Sequence, residues 1–518
     1  MTPHKTALKS ALLASAGLAL FSATAGAVAP PVVITGASLF ANCSNAGTTN
    51  YLGAEVEPWV AVNPANPQSA IAGWQQDRWS DGGAKSVMSG YTADGGATWT
   101  RVVVPGINAC TGGLAPLLDF DRSTDPWVEF NASGSIAYYM SLSFDNDPAP
   151  GVSGANAMLV NRSFDGGATW EATPKVLVIN DDGNKFSDKN SLTTDPNDPL
   201  VAYAVWDTLA NVKGRHDGAA DARGRRRAAI DRGGTSENSR FAYIGPSEFT
   251  RTINGGNNWD PVKTIHNPGV TAQTIGNMIV VQSAAQGGDV FNFYTQIDHN
   301  GQTTLGFVKS SDQGVNWTTG KTAIKTQLTR NGTTTPDAKQ IVRDGNILFD
   351  AAVDPGNGNL YLTWQDARNQ NIDRVNFSMS TNDGQTWSIP VVIAKTPSST
   401  NKLRMQSFVP SVAVGSDGRV YVTYYDFRND TAAGGEATDY WVISCNASCQ
   451  VGTSWGNEQR LTPTSFNMLN APVARGLFLG DYMGLARQGL KMLAVFGVAT
   501  GTSPVNKSEI VSVQISPP

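Results

Sequence analysis

One eight-residue pattern recurs five times in the 518 residues and constrains the fold more than any other feature. Thr92-Ala93-Asp94-Gly95-Gly96-Ala97-Thr98-Trp99 and Ser163-Phe164-Asp165-Gly166-Gly167-Ala168-Thr169-Trp170 are near-identical copies. Thr252-Ile253-Asn254-Gly255-Gly256-Asn257-Asn258-Trp259, Ser310-Ser311-Asp312-Gln313-Gly314-Val315-Asn316-Trp317 and Ser380-Thr381-Asn382-Asp383-Gly384-Gln385-Thr386-Trp387 are looser ones. A self-similar unit at a period of roughly 60–75 residues signals a repeat architecture. The chemistry of the pattern is that of a tight turn. An Asp or Asn accepts hydrogen bonds from turn N–H groups, Gly supplies positive φ without steric cost, and Trp adds a large apolar anchor with one N–H to satisfy. Each copy therefore reads as a β-hairpin turn pinned to a core.

The five copies resemble the Asp box of sialidases and related β-propellers, with Asp94, Asp165, Asn254, Asp312 and Asp383 as the box residues. Composition agrees with an all-β chain: 53 Gly, 27 Pro, dense turn signals and little helical periodicity. A closed propeller can hold the whole mature chain as a single domain.

The first 27 residues read as a secretory signal. His4, Lys5 and Lys9 precede an apolar run over residues 11–21, and Ala23-Thr24-Ala25 and Ala25-Gly26-Ala27 offer small-residue cleavage sites. No later apolar run approaches transmembrane length. A secreted or periplasmic protein is expected. Its four cysteines, Cys43, Cys110, Cys445 and Cys449, suit an oxidising compartment. Three pairings are possible; Cys43–Cys110 with Cys445–Cys449 is preferred because the second closes a short hairpin loop. The net charge is −5, and losing Lys5 and Lys9 with the leader makes it more negative. That balance argues against a general nucleic-acid binder. No cofactor and no metal are expected, and the chain reads as a monomer acting on a glycan or polysaccharide.

Apolar segments fall into a regular order. A first strand near Glu57-Pro58-Trp59, a second over residues 70–78, a third over 86–91 and a fourth over 100–104 make one blade around the Asp94 turn. Comparable sets follow up to a sixth, whose turn has decayed and where residues 444–455 carry two cysteines instead. A last set, from Leu479 to residue 515, has three strands and no turn motif. If residues 31–40 supply its fourth strand, the ring closes with seven blades and no free sheet edge; six, as in sialidases, is the alternative. Residues 211–240 interrupt the third blade with a basic, Gly- and Ala-rich insert containing Arg223-Gly224-Arg225-Arg226-Arg227, read as an exposed loop.

In such a ring the Asp boxes lie on one face. Second-strand ends and first-strand starts lie on the other, where binding groups collect. These positions hold Glu57, Asp77-Arg78, Asp125, Asp188-Lys189, Asp207, Asp298-His299, Asp366 with Arg368, Asp426 with Arg428, and Asp481-Tyr482. Repeated Asp-x-Arg pairs also suit structural ion pairs linking neighbouring blades. The sialidase resemblance implies a Tyr nucleophile polarised by a Glu, an Asp acid/base and three arginines on the substrate carboxylate. It places Tyr482, Glu57 and Asp77 in the catalytic roles, and Arg78, Arg368 and Arg428, with Asp366 and Asp426, in substrate binding. Where sialidases carry a Phe/Tyr-Arg-Ile/Leu-Pro motif, this chain has Val56-Glu57-Pro58-Trp59, with no Arg.

Other chemistries have less support. Past the leader only His216, His266 and His299 remain, without an HExxH pattern. No Gly-x-Ser-x-Gly elbow stands between a strand and a helix. Asp145-Asn146-Asp147 and Asp181-Asp182-Gly183-Asn184 read as solvated turns rather than calcium loops. Three functions fit: an exo-sialidase-like glycoside hydrolase on acidic glycans, a non-catalytic glycan- or protein-binding propeller, and a polysaccharide lyase using His299 or a Tyr as base.

Overall fold

The computed structural model describes residues 1, 28–43, 48–146, 153–211, 243–324, 328–329, 331–431, 434, 436–501 and 506–518. The signal segment past Met1 and all of the basic insert but Asn211 lie outside these residues, as does Asp147. Regular structure is nearly all strand, with helix present as short 3-10 turns.

Among the described residues the strands form seven antiparallel runs of four. In the first, Glu55–Val62 pairs with Ala70–Arg78, which pairs with Ala84–Thr92, which pairs with Thr100–Val103. The next five runs begin at Arg122–Phe130, Lys185–Thr194, Ala272–Val281, Phe349–Val353 and Ser407–Val414. The seventh runs Gly484–Gln488, Lys491–Ala499, Ser508–Ile515, and its fourth strand is Val32–Val33 from the other end of the chain. Each first strand touches the first strand of the next run, and Glu55–Val62 also touches Gly484–Gln488.

The recurrent turn sits between third and fourth strands, and its bonds explain its residues. Asp94 accepts from the Thr98 backbone N–H at 2.9 Å and the Thr98 hydroxyl at 2.6 Å, and Thr92 Oγ1 accepts from the Gly96 N–H at 3.0 Å. Asp165, Asn254 and Asp312 accept from Thr169, Asn258 and Asn316 in the same way. The fifth copy corrects the sequence reading. Asn382, not Asp383, accepts from the Thr386 N–H at 2.9 Å. Asp383 takes the position of the first glycine, at φ 55°, and accepts from Gln282 Nε2 at 2.8 Å.

The second glycine position of the motif has a further role. At Gly314 (φ 80°) an added Cβ would lie 2.5 Å from Phe249 of the preceding run, and at Gly384 it would lie 2.5 Å from Phe307 of the preceding run. The motif tryptophans pack backwards too: Trp317 against Phe249, with ring centroids 5.1 Å apart, and Trp387 against Phe293 at 5.8 Å. Trp99 of the first run donates to Ser512 of the seventh at 3.0 Å. The motif thus docks each of these runs onto a neighbour as well as turning the hairpin.

Both disulfides, Cys43–Cys110 and Cys445–Cys449, are formed. The second lies in the hairpin between Ala437–Cys445 and Gly456–Arg460, where Trp455 Nε1 donates to Cys449 O at 2.8 Å. There the covalent link and the Trp hold a hairpin that lacks the recurrent turn.

Candidate functional site

Five first strands share a backbone irregularity that sets the centre of the molecule. Each has a bulge with a residue at positive φ: Glu57 (54°), Asp125 (52°), Lys189 (46°), Gly276 (66°) and Val409 (49°). A bulge bends its strand and re-aims a side chain. Here it brings Glu57, Asp125 and Lys189 together from three runs.

Lys189, only 8% exposed, is the hub. Its ammonium lies 2.7 Å from Asp481, 3.3 Å from Glu57 and 3.6 Å from Asp125. Arg343 adds a two-pronged contact to Asp481, at 3.1 Å and 2.6 Å. Burial alone would push Asp481 up, but Arg343 and Lys189 outweigh it and hold the carboxyl well below the usual range. Burial lowers Lys189, and the surrounding carboxylates overcome it, so the ammonium is raised well above its ordinary value. Glu57 goes the other way: burial lifts it to about 7 against the pull of Lys189. Its oxygens accept from Gln75 Nε2, Lys189 and the Asp481 N–H.

Two cavities meet at Lys189. The charged cavity is lined by Glu57, Arg78, Asp81, Asp125, Asp188, Arg343 and Arg475 among others. Arg78 and Arg343 flank the Phe478 ring, their guanidinium carbons 4.8 and 4.4 Å from its centroid. This follows from pairing of the two-residue strand Val342–Arg343 with Leu477–Phe478. Arg78 is 2% exposed; Nη1 donates to Gln75 Oε1 at 2.5 Å and Nε has no acceptor among the described residues. Burial, and next the neighbouring Arg343, push Arg78 down to about 10. Asp81 is 42% exposed and pairs with Arg122 at 2.7 Å. Partial burial raises it, but Arg122 outweighs burial and holds it below the ordinary carboxylate range.

The axial cavity is lined by Trp59, Trp127, Tyr482, Asn190, Asp344 and Asp350 among others. Trp59 and Trp127 stack with centroids 3.7 Å apart, and Tyr482 meets both edge-on at 6.0 and 5.6 Å. Burial, then Glu57, Asp125 and Asp481, push the Tyr482 phenol well above its usual value. Its hydroxyl donates to Pro126 O at 3.5 Å.

The residues singled out from sequence therefore divide. Glu57 and Arg78 line the charged cavity, and Tyr482 lines the axial one. The structure does not place Glu57 as a hydrogen-bond partner of the Tyr482 hydroxyl. Asp77, at φ 63°, is fully buried and accepts from Ser38 and from the Gly53 N–H at 2.8 Å, which fastens the N-terminal segment; it lines neither of the two cavities. Arg368 pairs with Asp366 at 2.5 Å, and Arg428 with Asp426 at 2.5 Å and with Glu458. These are ion pairs within single runs, and none of their members lines either cavity. Sequence reasoning passed over Asp81, Arg343 and Arg475, because none sits at a second-strand end or first-strand start. Among the described residues no group of three His, Cys, Asp or Glu could hold a metal ion, and no helix is long and apolar enough to cross a membrane.

No protein-family model matches the chain, and no curated protein matches it. Solved structures do show likeness. A protein of unknown function from Dyadobacter fermentans is 14% identical, with 77% of this chain and 94% of that chain covered and a TM-score of 0.45. The Hadza microbial sialidase Hz136 is 13% identical, with 87% and 74% covered and a TM-score of 0.43. Trypanosoma rangeli sialidase in complex with sialic acid is 11% identical, with 81% of this chain but 55% of that chain covered and a TM-score of 0.39. At such identities and scores, function has to be argued from the residues of this chain.

Proposed function

We propose that the chain is an exported seven-bladed β-propeller, with Val32–Val33 as the closing strand of its last blade, and that it hydrolyses acidic glycans of the sialoside type in the charged cavity. The cyclic contacts of the seven first strands support the ring. The anionic substrate rests on one observation: Arg78 is buried, lowered to about 10, beside a second guanidinium and with Nε unpaired. A ligand carboxylate would offset the charge of the two adjacent guanidiniums and raise the lowered Arg78, and Arg is suited to grip it in two-pronged fashion. Arg343 and Arg475 line the same cavity.

Hydrolysis needs a proton donor and an ionised partner, and groups whose environments drive their pKa values apart supply that division. Glu57, lifted to about 7, is the acid of this reading, and Asp81, held low by Arg122, is the carboxylate facing the same space. Tyr482 has no role in it, because it lines the other cavity. The test is release of fluorophore from an aryl sialoside by the full chain. Glu57→Gln should cut turnover by about 10²–10⁴-fold, Arg78→Gln should act mainly on KM, and Tyr482→Phe should stay within about threefold. No release from any acidic aryl glycoside would sink the hydrolase.

A second reading, a non-catalytic glycan binder, draws on the saturation of Glu57 by three donors. Retention of acidic glycans without product, weakened by Arg78→Gln, would establish it in place of the first.

A further inference from the structure

We propose that the axial cavity is a second ligand site, and that it takes a protonated primary amine such as that of an amino sugar. The aromatic side of the cavity is made by Trp59, Trp127 and Tyr482. Aromatic faces attract ammonium groups, and Lys189 Nζ already lies 5.5 Å from the Tyr482 ring centroid.

The polar lining selects for a donor. Lys189 gives its protons to Asp481 and Glu57, Asn190 Nδ2 to Asp125 O at 3.0 Å, Ser411 Oγ to Met483 O at 2.7 Å, and Tyr482 to Pro126 O. The acceptors of the lining are less fully used. Asn190 is 3% exposed and its Oδ1 has no hydrogen-bond partner among the described residues. A buried acceptor without a partner costs about 1–3 kcal/mol, so a donor arriving there is favoured. Asp350 is 6% exposed and accepts from the Ala351 and Val412 N–H groups, both at 2.8 Å, with no cationic partner among the described residues. Burial lifts its carboxyl to about 7, and an incoming cation would reverse that shift. Asp344 likewise accepts from Thr333, Asn346 and Gln365 and forms no ion pair with a described residue.

A neutral sugar would satisfy Asn190 but leave the carboxylates uncompensated. A quaternary ammonium would meet the aromatic rings but give Asn190 no hydrogen bond. A primary ammonium does both. A metal ion would need a cluster of ligands that the described residues do not provide. The site is independent of the hydrolase reading, since a chain that releases no sugar would still bind an amine here.

The experiment titrates the full chain with D-glucosamine, D-glucose and tetramethylammonium near neutral pH, following tryptophan fluorescence, to which Trp59 and Trp127 contribute. Glucosamine should give a saturable change, and glucose and tetramethylammonium should each bind at least about tenfold more weakly. Asn190→Ala and Asp350→Asn should each weaken glucosamine by about tenfold, with unchanged circular dichroism. If either variant fails to fold, Trp59→Leu, at a partly exposed position, carries the test and should lose the signal and the binding seen by calorimetry. Equal binding of glucose, no saturation by glucosamine, or wild-type binding in the folded variants overturns the proposal.

Discussion

Replacing Lys189 with Met removes the charge on which the centre is built while keeping most of the side-chain volume. Asp481 keeps Arg343 at 2.6 Å, so the damage falls on Glu57 and Asp125. Removing one partner from a buried ionic group costs about 3–5 kcal/mol. For a chain of 518 residues, about 2.1 cal/mol/K of unfolding entropy per residue amounts to about 1 kcal/mol per degree, so the melting temperature should fall by about 3–5 °C at neutral pH. The pH dependence identifies the cause. Lys189 is raised in the folded protein, so its contribution is complete below the unfolded value of about 10.4 and constant from acid to neutral pH. Asp481 is depressed, so its contribution is lost only as pH falls toward its low folded value. Glu57 is already raised, and losing Lys189 raises it further. Folded Glu57 is protonated in both proteins up to about pH 7, so its part of the variant's deficit should open only as pH rises above about 7 and level off at the variant's higher value. Calorimetric melting at about pH 5 and about pH 8 measures it. Adding Glu57→Gln to Lys189→Met should recover part of the loss. A deficit under about 1 °C at both pH values, or one that is larger in acid, would refute the hub.

Two further predictions concern the frame. Gly314→Ala should cost about 2–4 kcal/mol, combining the left-handed backbone with overpacking against Phe249, while Gly112→Ala, at φ 85° with open space around it, should cost only the backbone part, about 1–2 kcal/mol; denaturant titration separates the two. Removing Cys43–Cys110, whose partners stand 67 residues apart, should cost about 4 kcal/mol, and removing Cys445–Cys449, with partners 4 apart, about 2 kcal/mol. The same titration of Ser double variants would contradict this if the short loop mattered more.

The strand rhythm is legible in the sequence because its signals are local. Each recurrent turn marks a third-to-fourth strand hairpin, and the cysteine pair at 445 and 449 marks the one hairpin closed covalently. Gly314 and Gly384 are legible as turn residues, but their pressure against the preceding run depends on Phe249 and Phe307, tens of residues away. The same distance effect hides the site. Glu57, Arg78 and Tyr482 are legible as one-off polar residues near strand ends. Lys189 as a hub, Asp481 as its main partner and Arg343 as the neighbour of Arg78 are not, because they meet only when separate runs come together. Arg343 stands on a two-residue strand whose partner, Leu477–Phe478, lies far along the chain, and no periodic signal announces it. Asp77 shows the reverse case: a charged residue at a second-strand end that is occupied by Ser38 and Gly53.

The bulges explain why the chemistry collects on one side of the axis. The same device occurs in five first strands, and a non-glycine residue held at positive φ costs on the order of 1–3 kcal/mol. Glycine avoids that cost and is used at position 276. At positions 57, 125 and 189 the chain instead carries Glu, Asp and Lys, so their side chains must contribute more than the strain they bring. Val409 holds the fourth non-glycine bulge without any charge, and its N–H donates to Gln365 Oε1 at 2.7 Å. The charged bulges therefore belong to three consecutive runs, and the charged cavity opens beside those three. Repetition sets the backbone of the centre, and departure from repetition places its charges. Were the three charged bulges only structural, replacing Glu57 and Lys189 together by Gln and Met would leave ligand binding in the charged cavity unchanged; loss of that binding by a folded double variant is the outcome this reasoning requires.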